Sequence, residues 1–91
     1  MFNTIHHFFV NQQVTIGFGG DGNPTIGNNV SVRAGAKIIG NVTIGDDVII
    51  GANAVVIKDV PSHSVVVGVP GRIIKKRNFM NESWKRVDMK L

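Results

Sequence analysis

A period of six runs through the middle of the chain, and few folds accommodate it. Written in sixes from Ile26, the residues read IGNNVS, VRAGAK, IIGNVT, IGDDVI, IGANAV and VIKDVP. The first position holds Ile26, Val32, Ile38, Ile44, Ile50 and Val56, all β-branched aliphatics. The fifth holds Val30, Ala36, Val42, Val48, Ala54 and Val60, all small and apolar. The fourth holds Asn29, Gly35, Asn41, Asp47, Asn53 and Asp59. Those residue types accept a positive φ or hydrogen-bond their own backbone at a turn. Neither a helix, with 3.6 residues per turn, nor an open strand, with a period of two, repeats every six.

A short fixed period with one inward β-branched residue per unit predicts a β-solenoid. Each hexad supplies one short strand and one corner, and three hexads close a triangular coil. Stacked coils then pair each strand with its equivalent one coil on, in parallel ladders about 4.8 Å apart. The register extends backwards through Ile16, Val10 and Thr4, with Val14 and Phe8 in the corner column. Between Ile16 and Ile26 it is offset by a four-residue insertion, and "GFGGDGNP" (17–24) is the extruded loop. The expected organisation is a solenoid over 1–70 and a basic tail over 71–91. In the tail, Met80, Trp84, Val87 and Leu91 stand at helical spacing, with Asn78 or Asn81 as N-cap, so a short C-terminal helix is expected. So short a solenoid leaves strand edges exposed, which favours self-association.

Charge is unevenly placed. The formal net charge is +4. Residues 1–70 carry Arg33, Lys37 and Lys58 against Asp21, Asp46, Asp47 and Asp59, a balance of −1. The tail carries Arg72, Lys75, Lys76, Arg77, Lys85, Arg86 and Lys90 against Glu82 and Asp88, a balance of +5. A near-neutral body argues against nucleic acid lying along it and places any bound anion near the tail. The chain has no cysteine, which excludes disulfides, thiolate metal sites and a cysteine nucleophile. No apolar run is long enough to cross a bilayer, and "MFNTIHHFFV" lacks a signal peptide's basic start. The expectation is a cytoplasmic protein with neither membrane nor nucleic-acid partner.

The hexads, the run "VVIKDVPSHSVVVGVPGRII" and the loop between "VTIG" and "PTIG" resemble the hexapeptide-repeat acyltransferases. Within them the resemblance is to the C-terminal domain of serine acetyltransferases, over about residues 10–76. It implies an all-β, left-handed parallel β-helix. The hand comes from the resemblance, because ordinary parallel crossovers are right-handed. It further implies a homotrimer that takes acetyl from acetyl-CoA to a hydroxyl or amine of a small acceptor, with the cofactor lying between subunits. The pantetheine arm would run past small residues, here Gly17, Ala34, Gly35 and Ala52. The phosphates would lie toward the tail, near Lys58, Arg72 and Lys75.

The family's general-base histidine aligns one coil before Val10, upstream of Met1, so the chain reads as an N-terminally shortened version. A substrate-side histidine of the family corresponds to Asn23, and its arginine neighbour to Gly22. His6 and His7 are the local candidates for a base, since imidazole titrates near neutral pH, and a polar corner pair is the other reading. Asp21 and Asn23 on the glycine loop are candidates for acceptor contact or for turn capping. His63, after "KDVP", is expected to face solvent without partners. No third histidine lies between His7 and His63, so no metal site is expected. The alternative function is a catalytically silent trimeric module that binds CoA.

Overall fold

The computed structural model describes residues 8–10, 15–17 and 24–91. The strands are β1 (Phe8–Val10), β2 (Thr15–Gly17), β3 (Thr25–Ile26), β4 (Val30–Val32), β5 (Lys37–Ile39) and β6 (Thr43–Ile44). They continue with β7 (Val48–Ile50), β8 (Val55–Val56), β9 (Ser64–Val67), β10 (Arg72–Lys76) and β11 (Lys85–Lys90). Three sheets result: β1-β4-β7-β9-β10-β11, β2-β5-β8 and β3-β6. From β1 to β9 consecutive strands fall on different sheets, so the backbone coils around a triangular prism whose faces these sheets are.

The register reports the coil length directly. Thr25 opposes Thr43, Val30 opposes Val48 and Lys37 opposes Val55, each 18 residues apart and parallel. Phe8 opposes Val30 and Ile16 opposes Ile38, 22 residues apart. The extra four are the insertion between Ile16 and Ile26. Side chains of the first column stack inside the prism as Ile16–Ile38–Val56, Ile26–Ile44–Val60 and Val32–Ile50–Val66. All but Ile16 are buried, as are the small corner residues Val30, Ala36, Val42, Val48 and Ala54.

Val60 departs from its column. Ile44 bridges to Val60, and Val48 pairs with Ser64, each 16 residues on. The last coil is two residues short, so Val60 takes a first-position place rather than a fifth. The corner 57–59 absorbs the change, with the Asp59 carboxylate accepting from the Thr43 N–H at 2.8 Å.

Corner chemistry follows the fourth column at two of the three edges. Asn29 and Asp47, joined by His63 through the shortened coil, have φ of 58°, 56° and 59° along one edge. Gly35 and Asn53 have φ of 75° and 61° along the second. At the third edge the positive φ falls on Gly40, at 94°, and not on Asn41.

The expected C-terminal helix is absent, and 85–90 form strand β11 instead. After β9 the chain reverses at 68–71, and β10 runs back antiparallel along β9. β11 then pairs antiparallel with β10, Ile73 against Met89 and Lys76 against Lys85. A helix of so few residues is marginal alone. The open edge of β10, by contrast, offers a full row of backbone partners, and Val87 in β11 and Leu91 just after it still pack against the core.

Candidate functional site

Of the residues expected to hold a thioester carrier, Ala34, Gly35 and Ala52 share one coil edge, and Lys58 and Arg72 line a cleft. Ala34 and Gly35 turn the edge between β4 and β5, and Ala52 lies one coil on, between β7 and β8. The edge is fastened from coil to coil, with the Asn53 N–H donating to the Ala34 carbonyl at 3.0 Å. Gly68 follows Ala52 by the 16-residue step of the last coil, and its carbonyl accepts from the Val55 N–H at 3.0 Å. Ala34, Ala52 and Gly68 are all exposed, a row with little side chain to block approach to the backbone. Gly35 needs its missing Cβ: besides its φ of +75°, a Cβ there would sit 2.1 Å from the Asn53 Oδ1.

Gly68 also forms one wall of a cleft of about 520 Å³. Lys58 and Arg72 line it, together with Lys90 at the end of β11. Its apolar lining includes Ile57 and Val69, which are 53 % and 72 % exposed. Three cations beside unshielded apolar side chains suit a nucleotide-like ligand, with phosphates on the former and a flat ring on the latter. Lys90 was not among the sequence candidates, because a helical tail would not have returned it to Lys58 and Arg72.

Arg72 is already engaged, its guanidinium paired with the carboxylate of Asp88 on the neighbouring strand. Lys75 lies further along β10, opposite Arg86 and Val65, and does not line the cleft. Gly17 pairs with Ile39 on the β2-β5-β8 face and so stands apart from the corner row. His6, His7, Asp21 and Asn23 lie outside the described residues. Among the described residues no cluster of His, Cys, Asp or Glu could hold a metal ion, and no helix is long and apolar enough to cross a membrane.

His63 is not the partnerless solvent residue that the sequence suggests. Its Nδ1 lies 2.7 Å from the Asp47 Oδ2, one coil away on the same edge. Arg77 grips both oxygens of that carboxylate, Nε to Oδ2 at 2.9 Å and an Nη to Oδ1 at 2.6 Å. Burial pushes the Asp47 carboxyl up, but the Arg77 and then the His63 hydrogen bonds outweigh it and leave Asp47 below the ordinary carboxylate value. Its hydrogen bonds to Asp47 raise Arg77 in turn. The Arg77 guanidinium also stacks 4.0 Å from the centre of the Trp84 ring. This cluster fastens the tail across the coil edge and lies apart from the cleft.

Residues 23–58 match the family model described as "Bacterial transferase hexapeptide (six repeats)". The chain is 52 % identical over 55 residues to the serine acetyltransferase of Synechococcus elongatus, covering 60 % of this chain and 22 % of that protein. Among solved structures, the serine acetyltransferase of Brucella abortus superposes with a TM-score of 0.73 at 39 % identity, over 79 % of this chain and 31 % of that one. A serine acetyltransferase solved in complex with CoA superposes with a TM-score of 0.69 at 42 % identity, over 74 % of this chain and 28 % of that one. The chain thus spans about a quarter of the length of the curated relatives it matches. With the parallel coils above, these matches assign the left-handed β-helix, and the repeat body is similar to the C-terminal hexapeptide domain of serine acetyltransferase.

Proposed function

We propose that this chain is the cofactor-holding part of an acetyl-CoA-dependent acetyltransferase of the serine O-acetyltransferase type. The observation that carries the reading is the meeting of two features: the exposed row Ala34–Ala52–Gly68 runs into the cleft lined by Lys58, Arg72 and Lys90. Such a row suits an extended pantetheine arm, and the cations suit its phosphates. Support comes from relatives named as serine acetyltransferases and from a neighbour solved with CoA. The reading carries with it a homotrimer, with cofactor held between subunits, and a cytoplasmic setting. In transfer, the acceptor oxygen bonds to the acetyl carbon, the thioester C–S bond breaks, and the acceptor proton leaves through a base to the departing sulfur. His6 and His7 are the proposed bases. His63 is directed elsewhere, since its ring is held on Asp47.

The test is release of free CoA thiol from acetyl-CoA with serine as acceptor, and with an amino sugar in parallel. The reading expects acceptor-dependent release that disappears when His6 and His7 are both replaced by Ala. Saturable CoA binding without release would reduce the chain to a binding module.

A further inference from the structure

We propose that Asp88 is a specificity-determining residue of the cleft, an internal anion held on Arg72 that sets how much charge a ligand must bring. The proposal rests on the reading above only in taking the cleft as the place where ligand phosphates lie.

Arg72 projects from the first residue of β10 and lines the cleft with Lys58 and Lys90. Its Cα partner across the ribbon is Lys90, so two cations stand directly opposite each other. Like charges in that register repel. Asp88, two residues before Lys90, relieves the repulsion by pairing with the guanidinium. Arg86 and Asp88 line a second, shallower depression against the same Arg72. One carboxylate therefore serves a group of cations, and it is the acidic side chain on β11.

The pair is open to exchange. The Arg72 and Asp88 side chains are 48 % and 74 % exposed, and ion pairs so exposed hold weakly. A phosphate monoester carries about −1.5 to −2 charge and three acceptor oxygens, against the single charge of a carboxylate. It can displace Asp88 and bridge Arg72 to Lys90 and Lys58. A neutral ligand gains nothing from breaking the pair, and a singly charged one gains little. Asp88 thus acts as a built-in competitor, and the ligand class it admits is a nucleotide with a free monoester phosphate.

The experiment is a calorimetric double-mutant cycle on the whole chain, using adenosine 3′,5′-bisphosphate and adenosine as probes. Wild type, Asp88→Asn, Arg72→Gln and the double variant are compared. Both side chains are exposed, so the fold is expected to persist, and far-UV circular dichroism checks that it does. Asp88→Asn should tighten the bisphosphate about twofold to fivefold, the range for an exposed ion pair, and leave adenosine unchanged. In the Arg72→Gln background the gain should vanish. Equal or weaker bisphosphate binding in Asp88→Asn overturns the proposal. A gain that survives loss of Arg72 overturns it too, as does the absence of bisphosphate binding in every variant. If the cycle behaves as expected while acetyl transfer is absent, the catalytic reading fails and the competitor role stands.

Discussion

Arg77 reaches back thirty residues to close two hydrogen bonds on the carboxylate of Asp47, at 2.6 and 2.9 Å. Asp47 turns an edge of the coil with φ of 56°, and Arg77 follows β10, so this contact ties the tail to the solenoid. The two side chains are 6 % and 16 % exposed, and removing Arg77 leaves a largely buried carboxylate with the His63 ring as its remaining side-chain partner. Arg77→Gln should therefore cost about 2–4 kcal/mol in chemical denaturation. Arg77→Lys, which keeps the charge but loses the fork and much of the Trp84 stacking, should fall between.

Acid should act through the same carboxylate. Asp47 titrates below its ordinary value of 3.8 in the folded chain. A group with a depressed folded pKa contributes stability that is full above its unfolded pKa and is lost as pH falls through the folded one. Urea unfolding between pH 6 and pH 2 should show stability falling below about pH 4. In Asp47→Asn that acid limb should flatten, on a lower plateau at pH 6.

Core columns predict a steep cost for truncation. Ile38 is fully buried between Ile16 and Val56 in one inner stack. Ile38→Ala should lose about 2–5 kcal/mol, and Ile38→Val about 0.5–1.5 kcal/mol. Equal losses for the two would mean that the stack is not close-packed.

Gly35 tests the corner. An alanine there meets both the left-handed backbone and the Asn53 amide, so Gly35→Ala should destabilise by about 1–2 kcal/mol or more. Thermal unfolding compared with Ala34→Gly, at the exposed neighbouring position, separates strain from general loosening of the edge.

Lys58 and Lys90 approach the cleft from different elements, one just after β8 and the other from β11. Lys58→Gln and Lys90→Gln should each weaken CoA about threefold to tenfold and flatten its dependence on salt. Titrations at two ionic strengths read both effects.

The solenoid was legible in the sequence because its determinants are local. Each hexad must place one β-branched residue inward and one small residue in the corner, and Ile26 through Val56 do so at constant spacing. The four-residue insertion could be counted for the same reason. What escaped depends on contacts distant in the chain. Val60 kept its column in the sequence, yet the shortened corner moved it under Ile44. Met80, Trp84, Val87 and Leu91 had helical spacing, but a row of open backbone groups on β10 outweighed so short a helix. His63 gained its partner only when the coils stacked, and Arg77 gained Asp47 only when the tail folded back. Lys90 joined the cleft for the same reason. The basic ending carried the one available signal, a cation-rich segment directly after the last coil.

The most direct test is to map CoA onto the whole chain by two-dimensional amide NMR. The account predicts saturable shifts at Lys58, Gly68, Arg72, Lys90 and Leu91, extending along Ala52 and Ala34, with the Asp47–His63 edge unmoved. An absence of shifts at millimolar CoA, or shifts centred on that opposite edge, would contradict it.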